Sequence, residues 1–334
     1  MTVTANRKVV WNILAAVHRG RRLDRSFEDH TKGLEKRERA WCRRVSYGIQ
    51  RFRGRIDYLL DLHTSRCLSD VDPAVLDVLR IGLYETFYMD GIPQYAAVSQ
   101  AVELAKKVGH SSTGFVNAVL RSVARKGVGQ ENFPDGETDP LAFLSTWGSH
   151  PDWLIERWLS RWSVEEVRSL VNANNEVPPI FLNCLGRDLI EAVSDLDRRG
   201  IKAKGIKGTS CVMLRTSNRL EEAMKVLPCI VQDPAAALVP AFMNVQDHEC
   251  VVDLCAAPGG KAIALAAKGH PVLATDRSFG RLRLLKRSLD RLAESTSIDP
   301  LLRIQIAQGD VQKPLIAETR AMLIDVPCTG TGTL

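Results

Sequence analysis

The chain has 334 residues, 45% hydrophobic and 25% charged, a globular mix of roughly two domains' length that argues against disorder. No apolar run approaches the ~18 residues of a membrane span, and Met1 to Arg22 lack a signal-like apolar stretch, so a soluble cytoplasmic protein is expected. The net charge of +6 is unevenly spread: residues 1–66 hold 16 Lys and Arg against 7 Asp and Glu, residues 67–130 hold 6 against 6, and residues 131–334 hold 23 against 26. The whole basic excess lies at the front, which points to a polyanion partner there.

The front end reads as helices. Val9, Val10, Ile13, Leu14 and Val17 recur at helical spacing, as do Trp41, Val45, Ile49, Phe52, Ile56, Leu59 and Leu60. Asp72-Pro73 is a helix start, with Asp as N-cap and Pro at the first helical position. Gly91-Ile92-Pro93 breaks that helix, and Ala97 to Val108 and Thr113 to Arg125 supply two more. Roughly five helices with short connections predict an all-α domain over 1–130. Its basic set includes Arg7, Arg19, Arg21, Arg22, Arg43, Arg44, Arg51 and Arg55. These flank the apolar positions and are expected to be solvated. Arg outnumbers Lys, and its planar fork suits phosphate, so Arg19, Arg21, Arg22, Arg43, Arg44 and Arg51 are candidate RNA contacts. A soluble cationic face is the plainer alternative.

Residues 131–150 are rich in Gly and Pro without sustained period, and are read as a linker. Residues 151–230 read as a small helical and α/β segment. Trp153, Trp158 and Trp162 could stack bases, but filling a core or interface is the expected role. Ser163 and Glu166 form a capping box, and a helix from Asp188 to Arg199 is closed by Gly200. From 231 to 334 the pattern becomes strand–helix alternation. Four short apolar strands, Cys250–Leu254, Pro271–Ala274, Arg303–Ala307 and Ala321–Ile324, each finish near a carboxylate: Asp253, Asp276, Asp310 and Asp325. In an open α/β sheet that edge lines the ligand crevice.

Between the first strand and its helix lie Cys255, Ala256, Ala257, Pro258, Gly259, Gly260 and Lys261. Small residues there let backbone approach a ligand closely. Asp276 is placed for ribose hydroxyls and Asp310 for an adenine amino group. The glycine spacing is not that of a dinucleotide-binding turn, so a nucleoside cofactor without pyrophosphate, S-adenosylmethionine, fits better. Asp325-Val326-Pro327-Cys328 puts a cysteine at a strand edge beside that site, which suggests chemistry on a base. A thiolate adding to C6 of cytosine makes C5 able to take a methyl group, and removal of the C5 proton then expels the thiolate. Cys328 and Asp325 are the candidate catalytic residues. The eight cysteines, at 42, 67, 184, 211, 229, 250, 255 and 328, share no short repeated spacing, so neither a zinc site nor a disulfide framework is expected.

Two resemblances bear on these segments. Tyr47-Gly48-Ile49, Ile56 to Leu60, Leu79 to Glu85, Ala96 to Val102 and Phe115 to Arg121 resemble the NusB family of helical RNA-binding antitermination factors. Asp253 to Lys261, Asp325 to Gly332 and Val231 to Leu238 resemble RNA cytosine-C5 methyltransferases, and the whole order is similar to bacterial 16S ribosomal RNA methyltransferases of the RsmB or Sun type. The resemblance implies a Rossmann-like methyltransferase sheet over 231–334 and 16S ribosomal RNA as substrate. It also implies that residues 255–261, Asp276, Asp310 and Asp325 hold S-adenosylmethionine, with Asp325 instead or also facing the cytosine. Arg281 is a weaker carry-over, near the cofactor or RNA. Val326, Thr329 and Ala262 stand where the family has Ala, usually Ser, and commonly Thr. In that family the attacking thiolate comes from a second cysteine beyond the fifth strand, while the cysteine matching Cys328 assists release. The sequence ends at Leu334 after the fourth strand. The expectation is therefore a C-terminally incomplete catalytic domain that does not turn over, unless Cys328 itself attacks. A non-enzymatic alternative is a NusB-like RNA-binding adaptor with a vestigial cofactor domain.

Overall fold

The computed structural model describes residues 5–108, 112–294, 303–313 and 315–327. They form two compact units, one ending at Glu176 and the other beginning at Val177. Among the described residues no helix is long and apolar enough to cross a membrane.

The first unit opens with seven α-helices rather than about five: α1 Ala5–His18, α2 Leu23–His30, α3 Lys36–Arg51, α4 Arg53–Leu62, α5 Pro73–Tyr88, α6 Gln94–Val108 and α7 Thr113–Lys126. The apolar period from Trp41 to Leu60 is continuous, yet the helix breaks at Phe52, whose ψ of 25° leaves the helical range. The break frees the Gly54 amide to donate to the Ser149 hydroxyl at 2.8 Å. A Cβ on Gly54 would stand 2.7 Å from the Ser145 carbonyl, so glycine is what lets this backbone come so close. Helix α5 is the buried centre. Asp72 caps it through the Ala74 amide at 2.7 Å, with Pro73 at its first turn.

Arg7 and Arg55, expected to be solvated, are buried and half-buried respectively. Arg7 is buried against Glu85, with its Nε 2.9 Å from a carboxylate oxygen. Burial holds the Glu85 carboxyl above its ordinary range despite the Arg7 guanidinium. Arg55 lies over the Trp147 ring at 3.7 Å and donates to the Trp147 carbonyl. The partners are 78 and 92 residues away in sequence, so a local period could not reveal them.

The stretch expected as a linker is packed structure. Phe133 stacks on Tyr58 at 5.0 Å and meets Trp147 edge-on at 5.1 Å. Helix α8, Pro140–Thr146, follows, capped by Asp139, and buries Leu144. Its apolar residues fasten the segment to α4 despite the surrounding Gly and Pro. Helices α9, Asp152–Leu159, and α10, Val164–Asn175, complete this unit, the latter with the Ser163–Glu166 capping box. Of the three tryptophans, Trp158 packs on the small core around Leu144 and Ile155 and against His150. Trp153 and Trp162 are about half exposed, so of the expected core or interface role they do not fill the core part.

The second unit contains two sheets. β1 Ile180–Asn183, α11 Leu189–Arg198, β2 Ala203–Gly205, β3 Cys211–Leu214, α12 Leu220–Val226 and β4 Ile230–Val231 make an antiparallel sheet in the order β2-β3-β1-β4. This is the split β-α-β ferredoxin-like arrangement. After α13, Pro234–Phe242, come β5 Val251–Asp253, α14 Gly260–Ala267, β6 Val272–Asp276, α15 Phe279–Glu294, β7 Ile304–Gln308 and β8 Ala321–Leu323. These strands are all parallel, in the order β7-β6-β5-β8. The sheet packs through Val251, Val272 and Ala274 onto Ile263 and Leu265 of α14 and Leu285 and Leu292 of α15.

Candidate functional site

The parallel sheet grows from β5 through β6 to β7 and then returns to the other flank of β5 with β8. A strand order that reverses this way leaves a crevice at the carboxyl ends of the two strands flanking the reversal. The loop that follows β5 is fastened to both neighbours. Leu254 donates to the Leu323 carbonyl at 3.0 Å and Ala256 to the Thr275 carbonyl at 2.8 Å. The Ala257 amide donates to Asp276 at 3.3 Å, and the Ala257 carbonyl accepts from the Arg281 guanidinium. Gly259 has φ +109°, and a Cβ there would lie 2.2 Å from Leu285 Cδ1. Only glycine satisfies both the conformation and the contact with α15.

Two cavities adjoin over this loop, of about 380 and 340 Å³, and share Cys255, Arg281 and Pro327. The first is lined by Asp253, Ala256, Ala257, Pro258, Gly260, Lys261, Asp325 and Val326, with Gln232 in its wall. The second is lined by Asp276, Arg277, Ser278, Asp310, Val311 and Gln312. Lys261 Nζ lies 2.5 Å from Asp325, and Arg281 lies 3.5 Å from Asp276. Asp276 is buried and also accepts the Ser278 amide at 2.8 Å. Asp310 accepts the Gln312 amide at 3.0 Å. Burial, then the Asp276 and Asp253 carboxylates, raise the Cys255 thiol above its ordinary range. Close backbone, carboxylates on both cavities and two already-paired cations fit a nucleoside that carries positive charge.

Cys255 through Lys261, Asp276, Asp310 and Asp325 thus come together around one crevice. Cys328 lies outside the described residues. Asp253, legible as a strand-end carboxylate, and Gln232, which the sequence reading does not single out, add buried polar groups to the wall. Asp253 closes β5 and is only 1% exposed. Burial pushes its carboxyl up to about 7, the Cys255 amide and Lys261 opposing and the Asp325 and Asp276 carboxylates adding to the rise. Gln232 is buried and accepts from the Asn183 side chain at 2.7 Å. The signal that could have found it is Asp233-Pro234, an N-cap with Pro at the first turn, which fixes the chain just after Gln232. Among the described residues no group of three or more His, Cys, Asp or Glu could hold a metal.

In the helical unit, Arg19, Arg21, Arg22, Arg43 and Arg44 are exposed and Arg51 is half-buried. Arg21 pairs with Asp29 at 2.6 Å, Arg22 with Asp24 at 3.0 Å and Arg44 with Asp90 at 3.1 Å. Such surface pairs are weak, about 0–1 kcal/mol, and leave the guanidinium available to a stronger anion. Arg43 lies over the Phe27 and Tyr47 rings at 4.9 and 5.6 Å.

The fold and crevice define a Rossmann-like methyltransferase sheet joined to ferredoxin-like and helical parts. Comparison with known proteins agrees segment by segment. Residues 4–125 match the NusB family, residues 150–221 the ferredoxin-like domain of RsmF/B-like methyltransferases, and residues 240–334 the 16S rRNA methyltransferase RsmB/F family. The probable ribosomal RNA small subunit methyltransferase B of Bacillus subtilis is 30% identical, over 90% of this chain and 68% of its own length. The corresponding proteins of Synechocystis and Pseudomonas putida are also 30% identical, the alignments covering 70% and 73% of their lengths. The solved structure of PH0851 shares the fold, with a TM-score of 0.69 over 97% of this chain and 75% of its own, at 20% identity. The chain belongs to the ribosomal RNA small subunit methyltransferase B family.

Proposed function

We propose that the protein transfers a methyl group from S-adenosylmethionine to C5 of a cytosine in 16S ribosomal RNA. The observation that carries this reading is the crevice between β5 and β8, walled by the Cys255–Lys261 loop and by four aspartates and followed directly by Val326-Pro327-Cys328. When bound, the donor supplies an electrophilic methyl group. The chain's own residues hold and orient. The Ala256–Gly260 backbone forms the close floor, Asp276 takes ribose hydroxyls, and Asp310 takes the adenine amino group. Lys261 fixes Asp325, which stands nearest to the Pro-Cys segment and faces the cytosine ring. Cys328 takes part in the thiol chemistry as the release-assisting cysteine that the family resemblance makes of its position, or, where no second cysteine takes part, as the attacking thiolate at C6; the assignment rests on the sequence. Arg19, Arg21, Arg22, Arg43, Arg44 and Arg51 hold the RNA backbone.

The test is incubation with labelled S-adenosylmethionine and unmethylated 16S RNA, followed by nucleoside mass spectrometry. Label in 5-methylcytosine supports the reading, and label in any other nucleoside overturns it. If both ligands bind and no label is transferred, turnover needs the second cysteine that the family resemblance leads one to expect. A folded protein that binds RNA but not the donor favours the adaptor instead.

A further inference from the structure

We infer that Asp253 is the counter-charge for the cationic methyl donor and gives up a proton when the donor binds. The inference rests on reading the crevice as an S-adenosylmethionine site. Asp253 lines the larger part of the crevice, yet it is 1% exposed. One of its oxygens accepts the Cys255 amide at 3.3 Å. Among the described residues no Lys, Arg or His forms an ion pair with it. The two cations near it are committed elsewhere: Lys261 of α14 to Asp325, and Arg281 of α15 to the Ala257 carbonyl and Asp276. The other titratable groups around it are Asp276 at the end of β6, Asp325 beyond β8 and the neutral Cys255 thiol, none of which supplies positive charge. A buried carboxyl with no paired cation on the wall of a binding cavity favours its protonated form, and arriving positive charge favours the carboxylate.

S-adenosylmethionine brings that charge, as a permanent sulfonium and an ammonium. The balance is simple: the carboxylic acid of Asp253 releases one proton to solvent and the carboxylate faces the cation. The Asp253 carboxyl is pushed up to about 7, so it is protonated in the free protein below that pH and ionised above it. Donor affinity should therefore rise about tenfold per pH unit well below 7 and level off above it, until the donor's own amino group titrates near ~8.

Isothermal calorimetry of S-adenosylmethionine binding, in buffers of different ionisation enthalpy, reads the proton count. Wild-type protein should release most of a proton at pH 6 and progressively less as pH rises through neutrality. Asp253→Asn should bind more weakly, release no proton, and keep one affinity from pH 5.5 to 7. Donor binding by wild type without proton release, or equal release by Asp253→Asn, overturns the inference while leaving the site reading intact. Folded wild-type protein that binds no donor overturns both.

Discussion

Gly259→Ala is the most searching single substitution in the crevice loop. Gly259 precedes α14 with φ +109° and ψ 0°, a conformation that side chains rarely adopt, so the backbone strain alone costs about 1–3 kcal/mol. The new methyl would also lie 2.2 Å from Leu285 Cδ1, and Leu285 is fully buried in the core of the parallel sheet. Displacing a packed leucine costs a further ~1–3 kcal/mol. The total of roughly 2–6 kcal/mol corresponds to a melting-temperature drop of about 4–24 °C in a unit of this size. Donor affinity should fall as well, because the loop that moves carries the Ala257 amide held by Asp276. Thermal unfolding and calorimetric donor titration measure both. In a double-mutant cycle with Leu285→Ala, the steric part should be relieved and the conformational part retained. Gly259→Ala with wild-type stability and affinity would refute the reasoning, and so would full rescue by Leu285→Ala.

Other outcomes follow from buried charge and from the basic face. Asp253 has its folded-state carboxyl raised from 3.8 to about 7, so the folded protein binds more protons than the unfolded chain between those values. Stability should therefore decline as pH rises from 4 to 7 and stay level above, and Asp253→Asn should be more stable than wild type at pH 8 by on the order of 2–4 kcal/mol, read by urea unfolding. Arg80 forks onto Asp57, with both contacts at 2.8 Å, and reaches Asp77 at 2.9 Å, all around α5. Arg80→Met leaves the buried Asp77 without its guanidinium and should cost about 3–5 kcal/mol in a denaturant melt. Filter binding should show the logarithm of RNA affinity falling linearly with log salt, and Arg43→Glu with Arg51→Glu should lower the magnitude of that slope by about 2. An unchanged slope would remove these two arginines from the RNA face.

What was legible in the sequence was local. Asp72-Pro73 and Ser163 with Glu166 start helices because a cap is decided by three or four adjacent residues. The four carboxylates reach one crevice because strand ends are read from short apolar runs and parallel topology does the rest. Long-range partnership was not legible. The break at Phe52 depends on Ser149 reaching Gly54, and the burial of Arg7 depends on Glu85. The α/β character of the ferredoxin-like part and its helix after Asp188 were legible, whereas β2 has three residues and β4 two, too short for any period to show. Asp253 is legible as a strand-end carboxylate of the cofactor motif, but nothing in the sequence shows that it is buried without a paired cation.

The central claim is that the crevice between β5 and β8 holds S-adenosylmethionine. Ultraviolet cross-linking of the labelled donor to the protein, followed by peptide mapping, tests it most directly. The adduct should fall on peptides containing residues 253–261 or 276–281 and should disappear when excess unlabelled donor is added. An adduct confined to other peptides of a folded protein, or one that excess donor does not displace, would contradict the claim.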